Sequence, residues 1–247
     1  GDITVAATLD WNESASAYGV NADKYGSNTV EGSKNISATA TAGDAYAVKA
    51  SGTEAVNKIN ETITEVTTEK EKGSVTATTD NGAAYAIQAT DSGANTIGGV
   101  TSVEAKGTTA AAGIAANGVK SVNTVYMDST VKATSVNGPA SGIIATDQST
   151  NTVNGVTGVT TATTEGDARG IYALDSTNIV KGSKAAVSAT TTTGEADGIV
   201  AKSTGTQAAV NTVTGITDVT ASGSTDAYGI GASGKDDTNT AKNDITM

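Results

Sequence analysis

The chain has no cysteine, no histidine and no phenylalanine, and it carries one proline (Pro139), one tryptophan (Trp11) and one arginine (Arg169). Each absence closes a class of function. Without cysteine there is no disulfide and no thiolate nucleophile. Without histidine the commonest general base is missing. Aromatic residues make up 3% of 247 residues, so the core cannot be filled with large rings. No run of about 18 apolar residues occurs, which excludes a membrane-spanning helix. Positive charge is also short. Fifteen Lys and Arg face 26 Asp and Glu, a net charge of −11, and this argues against nucleic acid and anionic membranes as partners. No signal peptide stands at Gly1; a secreted protein would have lost it.

What is abundant is Val, Ile, Ala, Thr and Gly, the material of short strands joined by tight turns. These residues recur in a fixed order. "AYGVNA" at 17–22 returns as "AYAVKA" (45–50), "AYAIQA" (84–89), "AAGIAA" (111–116), "ASGIIA" (140–145), "ARGIYA" (168–173), "ADGIVA" (196–201) and "AYGIGA" (227–232). An "NTV"-type piece alternates with it, and a "VTAT"-type piece follows. The period, read from Ile143 to Ile171 to Ile199, is about 28 residues, the length of one coil of a stacked repeat. Apolar positions alternate at period two, which excludes helices. The expected fold is all-β: a single-stranded parallel β-helix over 1–247, with about eight coils, three short strands per coil and a right-handed turn.

Side-chain directions follow from the alternation. Three columns point inward: Val30, Ile97, Val125, Val153 and Val213; Ile36, Val103, Val131, Val159, Val187 and Val219; and Val20, Val48, Ile87, Ile114, Ile143, Ile171, Ile199 and Ile230. Asn28, Asn57, Asn95, Asn123, Asn151, Asn178, Asn211 and Asn239 hold one place in every coil. A polar binding row would use them, but buried amides must be satisfied, and stacking satisfies them. The row is therefore read as a structural ladder. Two excursions leave the tube: a charged one at 61–74, with either Val66 or Val75 filling the core slot, and a small one at 9–14 holding Trp11.

Several surface rows are candidate sites. Tyr18, Tyr46, Tyr85, Arg169, Asp197 and Tyr228 share one slot with Ala112 and Ser141, and so varied a slot is expected to face solvent. Tyr18, Tyr46 and Tyr85 are the candidate binding residues, as a patch for sugar or protein. Neighbour packing is the plainer account of them. Arg169 stands one coil from Asp197, and an ion pair explains it without catalysis. Asp167, Glu195 and Asp226 stack in consecutive coils; Ca²⁺ could relieve their repulsion, but the spacing is not that of a calcium-binding β-roll, so no cofactor is expected. Thr29, Thr96, Thr124, Thr152, Thr212 and Thr240 form an outward row of the kind found on ice-binding solenoids, interrupted at Lys58. A catalytic β-helix would need clustered acids with Arg or Lys in a groove. This chain scatters its acids on turns, so no enzyme is expected.

The repeated "NTVNG", "VTATT" and "AYGI" units, the acidic balance and the absent cysteine resemble the β-helical passenger or stalk of bacterial surface proteins of the autotransporter or large-adhesin type. The resemblance implies an extracellular location and a structural role. Alternatives are an adhesin module that binds a glycan or host protein through the tyrosine slots or the 61–74 loop, an ice-binding solenoid, and a degenerate polysaccharide-active β-helix. Trimeric adhesin heads have shorter coils. The first and last pentapeptides, "GDITV" and "NDITM", are nearly the same, which places Val5 and Met247 in the slot of Val219. The expected partner is then the chain itself, stacked end to end, or flanking coils of a longer solenoid.

Overall fold

The structure is a computed structural model and describes residues 1–7, 15–32, 35–60, 73–205, 207–235 and 240–247. Among the described residues nineteen strands, numbered along the chain, form two sheets in which every pairing is parallel. The smaller sheet holds the AYGI-type strands: β2 (Ala17–Asp23), β5 (Ala45–Ser51), β8 (Ala83–Thr90), β10 (Ala110–Asn117), β12 (Ala140–Thr146), β14 (Ala168–Leu174), β16 (Ala196–Lys202) and β18 (Ala227–Ser233). The larger has eleven strands: β1 (Ile3–Ala7), β3 (Ser27–Val30), β4 (Asn35–Ala40), β6 (Val56–Ile59), β7 (Gly73–Thr79), β9 (Ala94–Lys106), β11 (Val122–Ser135), β13 (Thr150–Glu165), β15 (Thr177–Thr193), β17 (Ala209–Ser222) and β19 (Ala241–Thr246). The molecule is a parallel β-solenoid of about eight coils at a spacing of about 28 residues. At one strand spacing per coil it is roughly 38 Å long.

The NTV-type and VTAT-type pieces are separate strands in the early coils and one bent strand from β9 to β17. The bend is a register shift between neighbouring coils. Gly99, Gly155 and Gly215 take positive φ there, a backbone state that glycine enters without strain. A Cβ at Gly155 would lie 1.9 Å from the Met127 carbonyl oxygen.

The inward columns are continuous. Val75 fills its slot between Ile36 and Val103; residues 61–72, Val66 among them, and Trp11 with 8–14 lie outside the described ones. From the second coil to the seventh the inward Val and Ile are essentially inaccessible to water. Burial of each contributes about 1.5–3 kcal/mol. The glycine of the AYGI-type strands lies inside the strand and faces the core. A Cβ on Gly142 would come within 2.3 Å of Val159 Cγ1.

The register at both ends differs from expectation. Ile3, not Val5, pairs with Ile36. Ile245 pairs with Val213, and Met247 is not in the Val219 column. The last inward residue of the small sheet, Ile230, is 51% exposed.

Candidate functional site

The asparagine ladder lies between the sheets. Asn28 Nδ2 donates to Asn57 Oδ1 at 2.9 Å, and the pattern repeats through Asn95, Asn123, Asn151, Asn178 and Asn211 at 2.9–3.0 Å. The second N–H of each amide donates to a carbonyl of the small sheet, as Asn123 does to Ala115 O at 2.7 Å and Asn151 to Ile144 O at 2.7 Å. Both donors are used, so the buried row is satisfied. Asn239 lies outside the described residues. The rung after Asn211 is Asn243, whose Oδ1 accepts from Asn211 Nδ2 at 2.9 Å.

The outer face of the small sheet holds the slot of Arg169. Tyr18, Tyr46 and Tyr85 stack there with centroids 5.0 and 5.3 Å apart and planes 6° from parallel. Lys49 Nζ sits 4.0 Å from the Tyr46 ring centre, a cation–π contact. The Tyr46 hydroxyl donates to Asp44 Oδ2 at 3.0 Å. Burial, then the Asp44 charge, push the Tyr46 phenol well above its ordinary range. Only Tyr18 presents much surface, at 38%, so the tyrosines are chiefly packed on each other.

The slot does not face open solvent in mid-rod. Ala112, Ser141 and Asp197 are all buried. Arg169 is three-quarters buried: its Nη2 lies 2.6 Å from Asp167 Oδ2, and its Nε lies 4.0 Å from Asp197 Oδ2. The nearer partner is thus in its own coil. The guanidinium also lies over the Tyr172 ring, 4.9 Å from its centre. Arg169 Nε and Asp197 Oδ1 are buried without a hydrogen bond. Burial first, then the charge of Glu195, raise the Asp197 carboxyl to about 7, although Arg169 pulls it down.

Between Tyr85 and Arg169 the row loses its bulk. In register with Tyr85 comes Ala112, then Ser141, then Arg169. The gap is a trough of about 170 Å³. Sequence reasoning missed it because Ala and Ser in a varied slot read as surface filler; the signal was the change of side-chain size between Tyr85 and Arg169.

The other rows are less continuous. Asp167 is engaged by Arg169 and by the Glu195 amide N–H at 3.2 Å. Among the described residues no group of three or more acidic side chains is placed to hold a metal ion. In the threonine row Lys58 replaces a rung, Ile179 another, and Asp244, not Thr240, pairs with Thr212.

No family model matches the chain, and neither a curated protein nor a solved structure matches it.

Proposed function

We propose that the chain is a rod segment of an extracellular bacterial surface fibre or adhesin stalk, without catalytic activity. The observation that carries this reading is the uninterrupted asparagine row, seven amide-to-amide bonds in one line. Such a row resists sliding of one coil over the next, because a slip leaves buried donors and acceptors unpaired. It suits a spacer whose task is to hold its length. The composition agrees: there is no histidine or cysteine for chemistry, and the acidic surface keeps rods apart. The test is gold labelling with antibody against this chain on cells that make the protein. Label on intact cells, along surface filaments, supports the reading. An epitope reached only after lysis overturns it.

The stalk reading includes a cover for the last coil. Ile230 stands in the core column yet is half exposed, and a further coil, of a longer chain or of a second copy, would bury it. Sedimentation of the purified chain separates the two. Self-association abolished by Ile230→Lys assigns the cover to a second copy, and a chain that stays monomeric at high concentration rules that cover out.

A further inference from the structure

The tyrosine stack ends on an open ring. Tyr46 covers one face of Tyr85 at 5.3 Å, and the next rung on the other side, Ala112, offers only a methyl group. The stack runs along the rod axis, so that open face forms an end wall of the trough. Ala112 and Ala115, both buried, make a flat apolar floor. Three strand spacings, about 14 Å, separate the Tyr85 rung from the Arg169 rung at the far wall. A ring seated over Ala112 would continue the stack at the spacing the tyrosines already keep.

A second observation is independent of shape. Two polar side chains line this trough while being almost wholly buried: Gln88, 9% exposed, and Ser141, 5% exposed. Neither side chain has a hydrogen-bonding partner among the described residues. Their polar atoms still reach the water of the trough, since neither is among the fully buried polar atoms left without a partner. Both groups are at hand for something in the trough. Every rung of the asparagine row, by contrast, is bonded on both N–H groups, so unpaired amides are not the habit of this fold.

Charge and size narrow the occupant. Arg169 is the one cation on the lining, and Asp167, Asp197 and Glu195 stand around it. The wall carries no surplus positive charge for an anion. The volume, about 170 Å³, is below the roughly 300 Å³ at which sites for drug-sized ligands begin. It takes one ring and its substituents. An aromatic guest would stack on Tyr85 but leave Gln88 and Ser141 unanswered. A ring with an apolar face and hydroxyl edges answers both.

We infer that the trough bounded by Tyr85, Gln88, Ala112, Ser141 and Arg169 binds a single neutral pyranose ring, such as the end residue of an uncharged glycan. The C–H face of the sugar lies on Tyr85 and its hydroxyls bond to Gln88 and Ser141. This inference does not depend on the stalk reading, since a rod in any location could carry the site.

The test is solution NMR of the whole chain with the methyl pyranosides of glucose, galactose and mannose, and with methyl glucuronide as the anionic control. At least one neutral glycoside is expected to shift the resonances of Tyr85, Ala112 and Ser141 with a dissociation constant on the order of 1 mM, as a one-ring ligand allows. Ala112→Phe fills the trough with the missing rung and should abolish binding while leaving the melting temperature unchanged or higher. Ser141→Ala should weaken binding several-fold and keep the fold. Three results would overturn the proposal: no neutral glycoside shifts those residues, the glucuronide binds more tightly than the neutral sugars, or Ala112→Phe binds as the parent does.

Discussion

Two rows run the length of this molecule at the same spacing and in the same register, and they differ in what they tolerate. The inner row is asparagine at every described rung from Asn28 to Asn243. The outer row passes from tyrosine through alanine and serine to arginine, aspartate and tyrosine again. An inner rung must donate to the next rung and to a strand carbonyl, and must accept from the rung before, all without water. Only a carboxamide of that length does this. An outer rung needs only to sit against whatever its neighbours are. Uniformity therefore marks the place where the fold is held, and variation marks the place where a site can be built without cost to it.

The sharpest way to break the contrast is to put a charge inside. Val153→Asp places a carboxylate in a dry core with no partner. It is expected to cost several kcal/mol and to unfold the coils around it, read by thermal melting and by hydrogen exchange. Asn123→Leu should come next. It strips the Asn95 amide of an acceptor and the Asn151 oxygen of a donor, for a loss on the order of 4 kcal/mol in denaturant unfolding. Tyr46→Ala removes the middle of the outer stack. Because that face can relax toward solvent, the expected loss is smaller, on the order of 2 kcal/mol.

A pH series sharpens the comparison at Asp197. Its carboxyl titrates near 7 in the fold and near 4 in the unfolded chain. The folded state therefore holds the proton more strongly, and stability falls as pH rises from about 4 through 7. Asp197→Asn cannot ionise. It should match the parent near pH 4 and exceed it above pH 7 by on the order of 1–3 kcal/mol, measured by denaturant unfolding from pH 4 to 9. The smallest effect belongs to Thr152→Asp, one residue from Val153 but outward, with a change within about 0.5 kcal/mol. If Thr152→Asp and Val153→Asp melt alike, the assignment of inside and outside is wrong.

The in-and-out phase was legible because Val and Ile recur at one place in every coil, and so was the asparagine row through Asn211. The last rung was not. "NTA" at 239–241 lies 28 residues past Asn211 and has the expected spelling, but "NDI" at 243–245, with Asn243 32 residues past Asn211, takes the place. Spacing fails where a turn changes length, since turns outside the tube are free to do so. The shelter around Arg169 was also hidden. Its burial comes from Tyr172, Asp167 and the neighbouring coil, and a slot's residue types do not reveal what stands over it. Val75 shows a third limit: two valines matched the pattern, and only the pairing with Ile36 and Val103 decided between them.

The amide row also quantises the molecule's length. Rungs Asn95 and Asn123 are 28 residues apart, while Asn178 and Asn211 are 33 apart, yet the bonds are the same length. Spare residues are shed into turns, and the row never registers them. Removing or duplicating a whole coil would leave every amide with its two acceptors, whereas removing half a coil would leave none of the neighbouring rungs matched. A gene encoding such a chain can thus be lengthened or shortened by in-frame recombination between its own repeats, and the product keeps its cross-section. The trough obeys the same arithmetic. Loss of the coil that carries Ala112 would bring Ser141 against Tyr85 and close it by one spacing, so one genetic event resets both the reach of the rod and the width of its cleft.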